Sequence, residues 1–202
     1  MTPPAPALIL ASTSRYRKEL LGRLNIPFQC VPPEVDETPL PMETPAHLAQ
    51  RLAKAKAWAV AKTRPDAVVI GSDQVADLNG TCLGKPGHHE AAVAMLRAMS
   101  GQMVRFHTAM AVVCGSTGQC LEEVACVDVQ FRTLSHEEIE TYLRIEQPYD
   151  CAGSAKSEGL GIALLEHIQN DDPTALIGLS LIRTAKLLRQ FGLDPLRKAA
   201  NT

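Results

Sequence analysis

The sequence contains no Cys-x-x-Cys pair, although six cysteines are spread along it. Structural zinc sites need such closely spaced ligands, so the zinc-finger and zinc-ribbon classes are excluded. A chain of 202 residues can also bury a core without disulfide bonds. We therefore expect most of the cysteines to be small core residues on strands and the protein to be reduced and cytoplasmic.

Long apolar runs and excess positive charge are also missing. No run approaches the ~20 apolar residues of a membrane span, and the N-terminus lacks the basic start of a signal peptide. The net charge is −2 at pH 7, which gives no overall field for binding nucleic acid. We expect neither a membrane nor a nucleic-acid partner, whereas a small anionic substrate needs only a few local lysines and arginines.

The order of apolar and helical segments predicts an α/β fold with a mixed central sheet and flanking helices. The strand patterns are three short runs and one antiparallel pair, at 7–12, 28–31, 66–75, 103–114 and 119–132. The helix patterns, several with N-cap signals, are at 14–24, 45–62, 88–99, 135–143 and 172–191. No linker or repeat divides the chain, so we expect one domain over 1–202, with 1–7 as a flexible extension.

Asp73 and Gln74 are placed at the end of the apolar third strand, where an ionisable side chain is uncommon. Three interpretations fit Asp73: a turn residue, a metal ligand, or a catalytic base held on a rigid strand. Periodicity alone does not choose between them.

Further polar residues follow the other predicted strands, namely Ser12, Arg17, Asp36, Lys56 and Lys85. If these segments converge, the cations and the helix N–H groups suit phosphate, and the carboxylates suit Mg²⁺ beside phosphate. Each residue alone also has an ordinary explanation. Residues 12–14 are typical helix caps, an acidic loop is usually solvated, and helix lysines are usually exposed.

Several segments occur together and in one order: "LILASTSRYRKELL", "PPEVDET", "RLAKAKA", "IGSDQV", "LGKP", "AGSAKSEGLG" and "LIGLSL". In this combination the sequence resembles the Maf family of nucleoside triphosphate pyrophosphatases over nearly its whole length. The resemblance implies an α/β fold related to inosine triphosphate pyrophosphatases, with two lobes around a cleft, and a homodimer. It also implies hydrolysis of a nucleoside triphosphate between the α and β phosphates, with Mg²⁺ or Mn²⁺ as cofactor.

The resemblance assigns roles to individual positions. Asp73 corresponds to the general base, and Asp36 and Asp73 to metal ligands. The phosphate-binding positions are Ser12, Arg17, Lys56 and Lys85. Attack of water on phosphorus needs a base within hydrogen-bond reach and positive charge on the phosphate. A base at Asp73 is therefore preferred over a turn.

Three positions depart from the pattern of many Maf proteins. Those proteins read Ser-Pro-Arg-Arg after the first strand, Asp-Thr in the third and Gln in the late glycine-rich loop, and are similar to dTTP/UTP pyrophosphatases. This chain has Tyr16, Gln74 and Glu158 there, which resembles the branch acting on 7-methyl-GTP, with tyrosine where tryptophan is expected. A cationic methylated guanine stacks well on an aromatic ring, and a carboxylate accepts from both N1–H and the 2-amino group.

Other interpretations stay open. Without the resemblance, Tyr16 as a packing residue and Glu158 as a surface charge would be the simpler explanation. Two functional alternatives are a dTTP/UTP pyrophosphatase of the same family and a nucleotide-binding regulator of cell division with weak catalysis.

Overall fold

The computed structural model describes residues 6–197, in which a seven-stranded mixed sheet is flanked by five α-helices. The strands are β1 (Leu8–Ala11), β2 (Phe28–Cys30), β3 (Val68–Leu78), β4 (Thr81–Leu83), β5 (Met103–Cys114), β6 (Gln119–Phe131) and β7 (Leu165–Gln169). The helices are α1 (Arg15–Gly22), α2 (Pro45–Ala61), α3 (His89–Met99), α4 (His136–Glu146) and α5 (Leu181–Gln190). The predicted α/β class with a mixed sheet is confirmed, whereas the division into two lobes stays a prediction.

The expected flexible extension at residues 1–7 falls largely outside the described residues, which begin at Pro6. At Ala7 the chain is already attached to the sheet, because the Ala7 carbonyl accepts a hydrogen bond of 2.9 Å from the Val68 N–H. The single-domain organisation over the whole chain stays a prediction.

The sheet has a gap along one side of β3. The strand order is β2-β1-β3-β5-β6-β7, with β1 parallel to β2 and β3 and the later pairs antiparallel. Pairing of β1 with β3 ends at Ala11 and Gly71, and pairing of β4 with β3 begins only at Ala76. Residues 72–75 of β3 therefore pair with β5 alone, and side chains from both faces of the sheet can meet at this gap.

The prediction that Asp73 ends its strand is wrong. β3 continues to Leu78 because β5 runs antiparallel beside it and pairs with it as far as Asp77. The alternation of side chains along a strand then places Ser72 and Gln74 on one face of the sheet and Asp73 on the other.

The two faces of the sheet are covered differently. Helix α2 covers one face over β1, β3 and β5 and forms with them an apolar cluster that includes Leu52, Val69 and Ala111. The opposite face carries two separate clusters, one with α1 and α5 and one with α3 and α4. Between these two clusters, the same face presents the polar side chains of Ser72, Gln74 and Thr108. Among residues 6–197, no helix combines the length and apolar character that spanning a bilayer requires.

Helix α2 lies unusually close to β3 at Gly71. A Cβ atom added to Gly71 would lie 2.1 Å from the Ala53 carbonyl oxygen and 2.5 Å from the Ala57 nitrogen. Only glycine permits this approach. The approach brings Lys56, which lies between Ala53 and Ala57 on α2, against the Asp73 side of β3.

The helix patterns that start at residues 14, 45 and 135 are confirmed, with Ser14 and Thr44 as N-caps and a capping box of Ser135 with Glu138. The prediction of a helix from residue 172 is wrong, since α5 begins at Leu181 with Ser180 as its N-cap. The preceding segment forms only a 3₁₀ turn at Ala175–Ile177, because its polar groups are bound by a buried aspartate rather than by a helical ladder.

The expectation that most cysteines are core residues is also wrong. All six are free thiols, but only Cys114 is buried. Five lie on strands as predicted, yet Cys30 is on the edge strand β2, and Cys126 is on the face of β6 opposite to α3 and α4.

Candidate active site

A pocket of about 420 Å³ lies at the gap beside β3. Its walls come from the β1–α1 turn, α2, β3, the turn after β4, and the segments around residues 150–158 and 176–178. Most residues predicted from the sequence line it: Ser12, Tyr16, Arg17, Lys56, Gln74, Lys85 and Glu158. Asp73 lies immediately behind Lys56, whereas Asp36 is not among the lining residues.

A buried lysine between two carboxylates forms the charged centre of the pocket. Lys56 Nζ is 2.6 Å from Asp73 Oδ1 and 2.7 Å from Glu37 Oε1. Lys56 and Asp73 are only 6% and 8% exposed, so their charges are weakly screened. Asp73 Oδ2 makes no hydrogen bond to another described residue, and it is the free oxygen of this group.

A second lysine of α2, Lys54, lies outside this centre. Lys54 is exposed and forms an ion pair of 2.8 Å with Glu122 on the surface of β6. Positions two apart on a helix lie on different sides of it, which separates the two lysines.

Glu37 lines the pocket and contacts Lys56, and the sequence analysis did not single it out. Burial acts to raise the pKa of the Glu37 carboxyl, but the hydrogen bond and charge of Lys56, with Lys85 and Arg17, outweigh it and lower the pKa. By contrast, the exposed Asp36 accepts the Thr38 N–H at 2.9 Å and acts as a turn residue in the structure. The signal available in the sequence was only that both carboxylates lie in one acidic loop.

Arg17 is fixed at the side of the pocket facing Glu37 and Asp73. Its Nε donates to the Gly178 carbonyl at 2.9 Å, and Ser72 Oγ donates to the same oxygen at 3.1 Å. Burial lowers the pKa of the Arg17 guanidinium, and the charges of Asp73 and Glu37 oppose that effect. Because Arg17 uses only Nε in these contacts, its terminal nitrogens are available to bind an anion.

The turn before α1 presents further donors. Ser14 is the N-cap and accepts the Arg17 N–H at 3.4 Å, while Ser12 Oγ accepts the Ser14 N–H at 3.1 Å. The capping explanation of this segment is therefore confirmed for Ser14. The first-turn N–H groups of α1 have no intrahelical acceptor, so the same segment also suits phosphate.

Lys85, in the turn after β4, also lines the pocket. It is exposed, and among residues 6–197 it forms no ion pair. Its turn is tied to the neighbouring segment, because the Gly87 N–H donates to the Tyr149 carbonyl at 3.0 Å and the Gly153 N–H donates to the Gly84 carbonyl at 3.2 Å. Lys85 therefore places a positive charge in the pocket from a turn that two backbone hydrogen bonds hold in position.

Gln74 has a defined orientation. Its Nε2 donates to Thr108 Oγ1 at 2.9 Å and to the carbonyls of Ala175 and Leu176, each at 3.0 Å. Since Thr108 Oγ1 itself donates to the Ala175 carbonyl, it can only accept from Gln74. The Gln74 carbonyl oxygen is left as an acceptor for a ligand in the pocket.

Glu158 is an exposed carboxylate in the pocket wall, and no hydrogen bond or ion pair to another described residue occupies it. Its loop is nevertheless held against α4. The Lys156 N–H donates to Tyr142 Oη at 3.1 Å, and the Leu160 N–H donates to Glu146 Oε2 at 2.8 Å. The loop is therefore anchored on both sides of a free carboxylate.

The donors in the pocket fit a hard divalent cation that arrives with a phosphate. Mg²⁺ in such sites uses one or two carboxylates and takes its other ligands from substrate oxygens and water. Glu37 and Asp73 supply two carboxylates on one centre, which Lys56 already bridges. Within the described part of the chain, no group of three His, Cys, Asp or Glu side chains forms a metal site by itself.

Comparison with known proteins gives a consistent result. The sequence model of the family described as Maf-like protein matches residues 7–191. The 7-methyl-GTP pyrophosphatase of Polaromonas sp. (strain JS666) is 65% identical over 96% of this chain and 88% of its own length. Proteins of the same name from Albidiferax ferrireducens and Bordetella pertussis are 60% and 57% identical, over 94% and 95% of this chain and 95% of their own lengths.

Proposed function

The chain belongs to the Maf-like protein family, and from that premise we propose that it is a nucleoside triphosphate pyrophosphatase. The proposed substrate is 7-methyl-GTP, and the proposed products are 7-methyl-GMP and pyrophosphate. The names of relatives with 57–65% identity support this substrate.

One observation carries the proposal: a single pocket combines a charged centre with a set of side chains suited to a guanine base. Lys56 and Glu37, with Asp73 bound behind Lys56, lie in the same pocket as the free acceptors of Gln74 and Glu158. A nucleotide has this composition, with an anionic chain joined to a hydrogen-bonding ring.

At the charged centre, we assign the triphosphate to Arg17, Lys85 and the N-terminus of α1, which together position it and neutralise its charge. Asp73 Oδ2, the oxygen not bound to Lys56, accepts the proton of the attacking water. Lys56 holds the other oxygen of Asp73 and thereby fixes the direction of the base.

Glu37 and Asp73 would hold the Mg²⁺ or Mn²⁺, and a role for Asp36 as a ligand stays a prediction. When bound, the cation supplies positive charge opposite the phosphate oxygens. The chain's own residues still do the positioning, since phosphoryl transfer depends mainly on orientation and electrostatics.

At the other end of the pocket, the guanine edge is assigned to Glu158, which can accept from both N1–H and the 2-amino group. Gln74 contributes a carbonyl oxygen whose orientation is fixed by Thr108 and by the 175–176 backbone. Tyr16, which lines the same pocket, offers an aromatic face to the methylated ring.

A substrate panel tests the proposal. Purified protein is incubated with 7-methyl-GTP, GTP, UTP, dTTP or CTP in the presence of Mg²⁺ or Mn²⁺, and the products are separated by ion exchange. We expect fastest hydrolysis of 7-methyl-GTP, release of pyrophosphate, and loss of activity with excess chelator. Formation of a nucleoside diphosphate and orthophosphate would contradict the assigned bond, and preference for UTP or dTTP would favour the alternative substrates.

We also propose that the enzyme is a cytoplasmic homodimer. The free thiols support a reducing compartment, and the dimer is carried over from the family resemblance. Sedimentation equilibrium measures the dimer directly, and a monomer at micromolar concentration would contradict it.

A further inference from the structure

The face of Tyr16 is not empty in the structure. The Arg15 guanidinium carbon lies over the Tyr16 ring, 4.7 Å from its centroid, and Arg15 Nη2 donates to Tyr16 Oη at 2.6 Å. Both residues line the pocket, and Arg15 is exposed. A cation therefore covers one face of the ring to which the proposed function assigns the cationic base.

We propose that Arg15 is a specificity-determining residue that covers the Tyr16 ring in the free protein and is displaced by the incoming nucleobase. The inference rests on the proposed function, because it concerns the same base-binding face. A guanidinium and a methylated guanine are both flat cations, so they compete for the same attraction to the ring.

The surroundings make the displacement feasible. Arg15 is on the first turn of α1 and is bound to the pocket through Tyr16 alone among the described residues. Asp150 and Glu158 also line the pocket and are exposed, so a guanidinium leaving the ring stays near carboxylates. The contact between Arg15 and Tyr16 is thus weak enough to break. After it breaks, the Arg15 guanidinium still has carboxylates nearby.

The size of the effect follows from the strength of an exposed cation–π contact. Such contacts correspond to about a two- to fivefold change in an equilibrium constant. A base that displaces Arg15 gives up this factor, so removing the guanidinium should tighten base binding by about two- to fivefold. The affinity for the methylated base should increase at least as much as the affinity for guanine, because removing Arg15 also removes a positive charge that repels the cationic base.

The experiment measures dissociation constants of 7-methylguanosine and guanosine by titration calorimetry for the wild type, Arg15→Met and Lys18→Met. The nucleosides carry no phosphate, so any contact of Arg15 with the triphosphate does not contribute. Methionine keeps the length of the side chain without the charge. Lys18 is an exposed cation of the same helix that does not line the pocket, and its variant controls for loss of charge alone.

If Arg15 covers the Tyr16 ring, both nucleosides should bind more tightly to Arg15→Met than to the wild type. Their dissociation constants for Lys18→Met should equal those of the wild type. Weaker binding to Arg15→Met would overturn the proposal, because Arg15 would then support the ring or sandwich the base. Unchanged binding, or equal tightening in both variants, would overturn it as well. Failure of the proposed function would appear separately, as a wild type that does not hydrolyse 7-methyl-GTP in the substrate panel.

Discussion

At Asp73, one carboxylate oxygen is bound to a buried ammonium and the other is free. This asymmetry separates two tasks, since the Lys56 contact fixes the side chain while Oδ2 can accept a proton. The sequence motif pointed to Asp73, but it gave no sign of which oxygen is available.

We predict that Asp73→Asn retains the fold and nucleotide binding but lowers kcat by about a hundredfold or more. The amide keeps the shape of the carboxylate and removes the proton acceptor. Steady-state kinetics and circular dichroism check the prediction together. A folded Asp73→Asn protein with near-wild-type turnover would rule out Asp73 as the base.

Neighbouring acidic residues offer a matched pair for the metal assignment. Glu37 contacts Lys56 at 2.7 Å, whereas Asp36 binds the Thr38 N–H. We predict that Glu37→Gln raises the Mg²⁺ concentration for half-maximal rate by about tenfold, as expected for loss of one charged contact. Asp36→Asn should leave that concentration nearly unchanged. The reverse ranking would restore Asp36 as the ligand.

At the residue scale, the sequence identified the positions that stand in contiguous motifs, because residue types and spacing are read directly there. It did not distinguish Glu37 from Asp36, since the direction of a loop side chain depends on contacts with Lys56 and Thr38. Nor did it reveal that Arg15 covers Tyr16, because neighbours in sequence interact only in particular rotamers.

At the scale of elements, the close approach of α2 to β3 positions Lys56. We predict that Gly71→Ala lowers the free energy of unfolding by about 1–3 kcal/mol or more, because the new methyl group overlaps α2 backbone atoms. Gly22→Ala is the control, since an added Cβ there meets no atom within 4 Å. Urea unfolding compares the two variants. Equal stabilities would contradict the proposed role of Gly71.

The segment between β7 and α5 depends on one buried carboxylate. Asp172 accepts the Thr174 N–H and hydroxyl at 2.8 and 2.6 Å, the Ser180 hydroxyl at 2.5 Å and the Ile182 N–H at 2.8 Å. Burial acts to raise the pKa of Asp172, but these hydrogen bonds outweigh it and lower the pKa below the ordinary value of an aspartate. The segment that these hydrogen bonds hold in place includes Gly178, whose carbonyl accepts the hydrogen bond from Arg17 Nε.

Because the folded pKa of Asp172 is depressed, its contribution to stability is present above the unfolded pKa and is lost as pH falls through the lower folded value. We predict that Asp172→Asn lowers the free energy of unfolding by about 1–3 kcal/mol at pH 7, where the amide faces donors. The difference in the free energy of unfolding between Asp172→Asn and the wild type should become smaller below pH 4.

The control for Asp172→Asn is Asp171→Asn. Asp171 is exposed and pairs with Arg183 on the surface, so its loss should change the free energy of unfolding by about 0.5 kcal/mol or less. Denaturant curves at pH 7 and pH 3 measure both variants. A difference between wild type and Asp172→Asn that does not depend on pH would contradict the assignment.

Element types were largely predictable, because periodicity and N-cap residues are local signals. The predicted end of β3 and the predicted start of α5 were wrong for the same reason. The continuation of β3 past Asp73 depends on pairing with β5, and the late start of α5 depends on the Asp172 hydrogen bonds. Both depend on partners distant in sequence, which local patterns do not show.

At the scale of the whole molecule, a nearly neutral chain gathers cations and carboxylates at one gap in its sheet. The net charge of −2 gave no indication of this local concentration. The gap exists because β1 ends at Ala11 and β4 starts opposite Ala76. Strand pairing of this kind follows from the complete topology and not from any one segment.

We propose that one pocket cleaves a nucleoside triphosphate and recognises guanine through Glu158. The most direct measurement is kcat/KM for 7-methyl-GTP, GTP and UTP in the wild type and in Glu158→Gln. We predict that the wild type prefers 7-methyl-GTP. The variant should lose about fivefold or more of its guanine-over-UTP advantage, because the amide no longer accepts from both guanine donors. An unchanged ranking and ratio in Glu158→Gln, or a wild type that prefers UTP, would contradict recognition of guanine by Glu158.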